Sequence, residues 1–174
     1  DVVVLLIDVR EGVTDQDKKI AALAERKGRG IVLAQNKMDL VPQGEWESIR
    51  SRTRFLFPAI DFAPLVAVSA ATGSGVSRLL DTVLQVWGQL NISVGTAALN
   101  QQLQAWVAEY PLPVHGRNVK IRYGTQTGTN PVRFVLFVNT LAGYPARYSK
   151  YLVNRIRRDL GFAAVPVFLE VRQS

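Results

Sequence analysis

The chain has 174 residues, of which 48% are hydrophobic and none is cysteine, and its formal net charge is +7. This length allows one large or two small domains, and the lack of cysteine excludes disulfides and thiolate metal sites. No apolar run approaches the roughly 18 residues that span a bilayer, and the N-terminus does not read as a signal peptide, so we expect a cytoplasmic protein.

The first part of the chain predicts alternating strands and helices, which indicates an α/β fold with a parallel sheet. Residues 2–7 are apolar on both faces, as in a central parallel strand, so we expect further chain before Asp1. Thr14 and Asp17 have the spacing of a helix capping box. The later elements are predicted strands at 31–35 and 65–68 and helices at about 45–56 and 76–88. In the first of these helices we expect Trp46, Ile49 and Phe55 to pack inward and Arg50, Arg52 and Arg54 to lie outside.

The tetrapeptide Asn36-Lys37-Met38-Asp39 follows the apolar strand at 31–35 directly. In open α/β sheets, ligands bind where strands end. An ionised aspartate has only acceptors, which match the adjacent N1–H and N2–H donors of guanine, whereas adenine presents an acceptor at N1. Asn36 can bond to the base or join neighbouring loops, and the Lys37 stem can lie over a flat ring. The pattern favours a guanine site.

A second polar loop, Ser69-Ala70-Ala71-Thr72-Gly73, follows the strand at 65–68. Together the two loops resemble the base-reading motifs of the translation-factor class of GTPases. That resemblance implies that Asn36 and Asp39 hold guanine, that Lys37 stacks on it, and that Ser69 and Ala70 close the pocket, with the Ala70 N–H on the guanine carbonyl.

The motifs that handle phosphate in such proteins do not occur in this sequence. There is no Gly-x-x-x-x-Gly-Lys-Ser/Thr loop and no Asp-x-x-Gly after a strand. Asp8 and Asp15 match no magnesium motif, and we interpret them as a loop residue and a helix-start residue. We therefore expect no catalytic residue and no metal ligand in this chain.

The second part of the chain carries the whole positive charge. Residues 1–95 have a net charge of zero and residues 96–174 have a net charge of +7, which suggests a polyanion such as nucleic acid. After a linker at 91–96, we predict a helix at 97–109, strands at 118–123 and 132–138, a helix at 146–160 and a strand at 166–172. His115 is interpreted as a loop residue.

Two groups of cations in this part are candidates for RNA contact. In strand 118–123, Val119, Ile121 and Tyr123 are expected on one face and Lys120 and Arg122 on the other. In helix 146–160, Tyr148, Leu152 and Ile156 are expected to face inward. The cations expected outward on that helix are Arg147, Lys150, Arg157 and Arg158.

The whole chain resembles the Der (also called EngA) family of bacterial GTPases, which have two tandem G domains and a C-terminal KH-like domain. Residues 1–90 resemble the later part of the second G domain, and residues 97–174 resemble the KH-like domain. The runs that carry the second resemblance are 117–123, Thr125-Gln126, Asn130-Pro131, 134–139, 151–157 and Pro166. The resemblance implies GTP binding and hydrolysis, Mg²⁺ in the intact protein, and a role in assembly of the large ribosomal subunit with its rRNA.

Ordinary KH domains grip single-stranded RNA with a Gly-x-x-Gly loop between helices, and residues 96–174 contain none. The basic surface therefore favours backbone or shape contacts with folded RNA, or contact with another domain. Two alternatives stay open: a non-enzymatic rRNA-binding module with a vestigial nucleotide pocket, and a protein-docking domain. We also expect self-association through an unpaired edge of strand 2–7.

Overall fold

The computed structural model describes residues 1–112 and 119–174. The predicted loop role of His115, and the start of the predicted strand at Asn118, lie outside the described residues. The chain forms two compact units, residues 1–89 with 164–166 and residues 90–163 with 167–174. The strands are β1 (Val2–Asp8), β2 (Gly30–Asn36), β3 (Leu65–Ala67), β4 (Ile121–Gly128), β5 (Val132–Val138) and β6 (Val167–Gln173). The helices are α1 (Asp15–Arg26), α2 (Trp46–Leu56), α3 (Val76–Leu90), α4 (Thr96–Glu109) and α5 (Ala146–Asp159).

The first unit is built on a parallel sheet in the order β1-β2-β3, which confirms the predicted α/β class. The central strand β2 is buried along almost its whole length. The register pairs Asp8 with Asn36, so the polar residues that follow the strands meet at one edge of the sheet. The predicted capping box is confirmed: the Asp17 N–H donates to Thr14 Oγ1 and the Thr14 N–H donates to the Asp17 carboxylate.

The predicted inward face of α2 is wrong at two positions. Phe55 is 82% exposed, whereas Thr53 is buried. The Gln35 side chain donates to Thr53 Oγ1 at 2.6 Å, and this buried polar pair fixes the face that turns toward the sheet. Arg54, predicted outside, donates to the backbone carbonyls of Asp61 and Ala63.

Strand β1 lies at an edge of its sheet. Its side chains alternate, with Leu5 and Ile7 buried and Val4 and Leu6 exposed at 41% and 54%. Helix α3 also leaves apolar side chains in solvent: Leu80, Leu84 and Trp87. The first unit thus presents both an unpaired strand edge and exposed apolar side chains.

The second unit has the order α4-β4-β5-α5-β6, as predicted. β4 and β5 are antiparallel, and β5 and β6 are parallel. Side chains of both helices meet the inner face of the sheet around a small gap lined by Leu99, Leu103, Gly124, Phe134, Leu136, Leu152, Ile156 and Leu169. The three side chains predicted to face inward on α5 are buried, which confirms that part of its pattern.

The predicted alternation holds from Val119, which is buried, to Arg122, which is exposed like Lys120, and it fails at Tyr123. β4 begins at Ile121, and a register shift lies between Ile121 and Tyr123. A residue added to one strand turns the following side chains, so Arg122 and Tyr123 are both exposed. Tyr123 stacks on Phe137 with ring centroids 4.5 Å apart.

None of the helices in the described part of the chain combines the length and the hydropathy that a membrane span requires.

Candidate functional site

The two polar loops singled out in the sequence lie side by side at the end of the first sheet. The Ala70 N–H donates to Asn36 Oδ1 at 3.0 Å, and the Met38 N–H donates to the carbonyl of Val68 at 3.1 Å. Asn36 therefore joins the two loops, which is one of the two roles that its amide allowed. The Ala70 N–H, expected on a guanine carbonyl, is engaged by Asn36 in this structure.

Two features fix the position of Lys37, an unusual backbone conformation and an ion pair. Its φ of 65° is left-handed, which is uncommon for a residue other than glycine. Its Nζ lies 2.5 Å from Asp8 Oδ2, and Asp8 Oδ1 also accepts from the Arg10 N–H at 2.9 Å. The Lys37 side chain lowers the pKa of the Asp8 carboxyl, and Asp8 raises the pKa of the Lys37 amine.

Asp39 lines a cavity of about 280 Å³ between the two loops. Its side chain is exposed and has no hydrogen bond or ion pair within residues 1–112 and 119–174, so both carboxylate oxygens can accept from a ligand. Ser69 lines the same cavity. The other lining residues are Met38, Ala67, Val68, Thr72 and Ser74.

The second loop is a tight turn with its own hydrogen bonds. Ser69 is 1% exposed, and its Oγ accepts from the Thr72 N–H at 3.2 Å. Gly75 has φ of +75°, and a Cβ built on it would lie 2.1 Å from the Ala67 carbonyl oxygen. Only glycine fits there, because any side chain would collide with the backbone of β3. The loop is therefore fixed against the end of the strand.

Sequence reasoning missed Asp8 and Gly75 as parts of this site. Asp8 is the last residue of β1, the strand next to β2, and the parallel register places it opposite Asn36, one residue from Lys37. The position of Asp8 at the end of a predicted strand could have indicated its place in the site, since the carboxyl ends of neighbouring parallel strands share one edge. The close approach of Gly75 to Ala67 depends on the loop's three-dimensional path and has no signal in the spacing of residues.

Only some of the cations in the two predicted basic groups of the second unit are exposed and lack an ion-pair partner within the described residues. Its three acidic residues are all paired: Glu109 with Arg155, Asp159 with Arg155 and Arg158, and Glu170 with Arg172. Arg158 is therefore neutralised, and Arg157 is half-buried. The predicted cations that are exposed and have no ion-pair partner within the described residues are Lys120, Arg122, Arg147 and Lys150.

The described residues offer no cluster of side chains for a metal ion. Within residues 1–112 and 119–174 there is no group of three His, Cys, Asp or Glu side chains that could hold one. Asp8, the last residue of β1, is already held by Lys37 and the Arg10 N–H.

Comparison with known proteins gives family matches in both units. Residues 93–172 match the family described as the KH-domain-like of EngA bacterial GTPase enzymes, C-terminal, and residues 1–88 match the elongation factor Tu GTP binding domain. A GTPase Der of Borrelia garinii subsp. bavariensis is 39% identical over 99% of this chain and 40% of its own length. A GTPase Der of Dinoroseobacter shibae is 42% identical over 99% of this chain and 36% of its own length.

The chain thus spans about 40% of the length of the first of these curated relatives. A crystal structure of Era in complex with MgGDPNP and nucleotides 1506–1542 of 16S ribosomal RNA aligns with 99% of this chain and 65% of that chain. The identity is 18% and the TM-score is 0.44, a likeness too low to carry an argument.

Proposed function

The chain belongs to the Der (EngA) family of bacterial GTPases, and we propose that its first unit reads the guanine base of GTP and GDP. The observation that carries this proposal is the meeting of the two loops around one cavity. Asn36 joins them through the Ala70 N–H, and the Asp39 carboxylate lines the cavity without a partner among the residues that the structure describes. An unpaired carboxylate at a strand end suits the two adjacent donors of guanine.

Each proposed base-reading residue has a separate role. Asp39 would accept from N1–H and N2–H, and Ser69 and Ala70 would close the edge of the cavity. Lys37 would cover one face of the base with its stem while Asp8 holds its ammonium. Asn36 would keep the two loops at the spacing that the base requires.

We propose that GTP hydrolysis, with Mg²⁺, belongs to the intact protein and that this chain alone is inactive. The supporting fact is the absence of a Gly-x-x-x-x-Gly-Lys-Ser/Thr sequence, since positioned N–H groups and a lysine stabilise the transferring phosphoryl group in this class. Magnesium-dependent phosphate release by purified residues 1–174 above the blank would contradict this proposal.

We propose further that the basic second unit contacts rRNA during assembly of the large ribosomal subunit, in the cytoplasm. The exposed cations Lys120, Arg122, Arg147 and Lys150 support this, because unpaired cations attract phosphate. A protein-docking role for the same surface is the second candidate.

The experiment that tests guanine reading is competition among diphosphates for the intact protein. Inosine lacks the N2 amine, so IDP should bind about 10- to 100-fold more weakly than GDP if Asp39 accepts from that amine, as expected for one hydrogen bond to a charged group. ADP should bind more weakly still, because adenine N1 is an acceptor and leaves Asp39 unpaired. Equal affinity for GDP and IDP would contradict the proposed contact.

A further inference from the structure

A second cleft lies in the second unit, between the end of α4 and the first turns of α5. It has a volume of about 370 Å³ and is lined by Glu109, Tyr110, Arg147, Tyr148 and Tyr151. Three aromatic rings and one arginine therefore share a single surface depression. None of the residues that surround the first-unit cavity takes part in it.

Two of the three aromatic rings of this cleft are held by hydrogen bonds from their hydroxyls to backbone carbonyls. The Tyr148 hydroxyl donates to the Tyr110 carbonyl at 2.7 Å, and the Tyr151 hydroxyl donates to the Trp106 carbonyl at 3.0 Å. The Tyr110 ring packs against both, with centroids 6.0 Å from Tyr148 and 5.1 Å from Tyr151. Tyr110 is still 50% exposed, so a ring that packs against Tyr148 and Tyr151 also faces solvent.

The acidic side chains around the cleft are paired, whereas two cations near it have no ion-pair partner within the described residues. Arg155 binds the Glu109 carboxylate with both contacts at 2.7 Å and lies 2.9 Å from Asp159. The acidic side chains near α5 are thereby occupied. Arg147 and Lys150 lie three residues apart on one helix face and have no ion-pair partner within residues 1–112 and 119–174.

We propose that this cleft binds an unpaired nucleotide of RNA, with its base stacked on Tyr110 and its phosphates on Arg147 and Lys150. Proteins bind single strands by combining aromatic stacking surfaces with cations that follow the backbone, and RNA is read chiefly where bases are unpaired. The net charge of +7 on residues 96–174 favours a polyanion over a neutral peptide. This inference rests on the proposed RNA contact and locates that contact in the cleft.

The test uses the 174-residue chain and a ten-nucleotide RNA that carries one 2-aminopurine, single-stranded or paired with its complement. Tyr110→Leu should weaken single-strand binding about 5- to 100-fold without changing the salt slope, as for the loss of one stacked base. It should also reduce the quenching of 2-aminopurine. Tyr110→Phe, which keeps the ring, should retain the wild-type affinity.

Arg147→Ala should flatten the slope of log K against log salt by about 0.7. Lys19→Ala, an exposed cation on α1 with no ion-pair partner within the described residues, should leave the slope unchanged. Circular dichroism and thermal unfolding establish that each variant is folded.

The possible outcomes separate this inference from the proposed RNA contact. If RNA binds with a normal salt slope but Tyr110→Leu binds as tightly as the wild type, the cleft is not the site, although the RNA contact stands. If a ten-residue oligoglutamate binds in a Tyr110-dependent way and RNA does not, the cleft is a peptide site and the proposal is wrong. If no RNA binds at all, both proposals fail.

Discussion

The ammonium of Lys37 lies 2.5 Å from the Asp8 carboxylate, and this ion pair joins the ends of two adjacent parallel strands. Lys37 directly follows β2 with a left-handed backbone conformation, and the ion pair with Asp8 restrains its side chain. Asp8, which the sequence indicated only as a loop residue, thus orients Lys37, a residue of the proposed guanine site.

The ion pair gives a prediction for pH. Lys37 holds the pKa of Asp8 below its ordinary value of 3.8, and Asp8 holds the pKa of Lys37 above its ordinary value of 10.5. The stability contributed by Asp8 is therefore present above pH 3.8 and is lost as pH falls through its lower native pKa. The contribution of Lys37 is present below pH 10.5 and is lost as pH rises through its higher native pKa.

Carboxyl ¹³C NMR titration measures this effect directly. In Lys37→Met the pKa of Asp8 should rise toward 3.8, although the Arg10 N–H continues to lower it. Lys27→Met is the matched control and should leave the titration of Asp8 unchanged. An Asp8 that titrates at or above 3.8 in the wild type would show that the ion pair does not persist in solution.

The turn after β3 gives a prediction for stability. Gly73 and Gly75 both have positive φ, but a Cβ at Gly73 meets open space and one at Gly75 meets the Ala67 carbonyl. Gly73→Ala should cost about 1–2 kcal/mol, the usual penalty for a left-handed L-residue. Gly75→Ala should cost more, since the backbone must also move. Urea unfolding measures both, and equal losses would contradict the described contact.

The exposed edge of β1 gives a prediction for association. An unpaired edge strand with apolar side chains tends to pair with another chain, and Val4 and Leu6 are exposed on β1. The chain should therefore form oligomers as concentration rises in light scattering, and Leu6→Lys should reduce them. Phe55→Lys, which removes an exposed apolar side chain from α2, should have little effect. A wild-type monomer at high concentration would argue against edge pairing.

The ion pairs of α5 give a prediction for salt dependence of RNA binding. Arg147 and Lys150 have no ion-pair partner in the described part of the chain, whereas Arg158 is bound to Asp159 at 2.7 Å. Replacing Arg147 and Lys150 together by Ala should flatten the slope by about 1.4–1.8, or 0.7–0.9 for each phosphate contact. Arg158→Ala should change it little.

The double replacement of Lys120 and Arg122 by Ala examines the competing basic group at the start of β4, which Lys120 directly precedes. If only this pair alters the slope, RNA contacts β4 and not α5. If neither pair alters affinity or slope, the basic surface docks protein, and the RNA contact is refuted.

Local patterns in the sequence were enough to predict the elements of both units. The capping box at Thr14 and the inward stripe of Tyr148, Leu152 and Ile156 are local, because each depends on spacing within one helix. The order of elements in each unit follows from the same patterns. The placement of the two polar loops at one sheet edge follows from the parallel class itself.

Features that depend on contacts distant in sequence were not predicted. Thr53, and not Phe55, lies on the buried face of α2, where its Oγ1 accepts a hydrogen bond from the Gln35 side chain. The register shift between β4 and β5 lies where Tyr123 turns outward, and Arg155 pairs with Glu109 from another helix. No periodicity along one helix or strand reports on such partners.

The central claim is that the Asp39 carboxylate selects guanine. At the second of the two G domains of the intact protein, Asp39→Asn should lower affinity for GDP and raise affinity for XDP, because an amide can donate to the carbonyl that xanthine carries in place of the N2 amine. The ratio of the two affinities should shift by roughly 10²-fold or more, as for loss of a buried charged hydrogen bond.

Equilibrium binding of GDP and XDP to Asp39→Asn is the most direct measurement of this claim. Asp81→Asn, which changes an exposed carboxylate on α3, is the matched control and should keep the wild-type preference. A reversal of preference toward XDP in Asp39→Asn alone is the predicted result. An unchanged preference for GDP in that variant would remove Asp39 from the site and contradict the proposed reading of guanine.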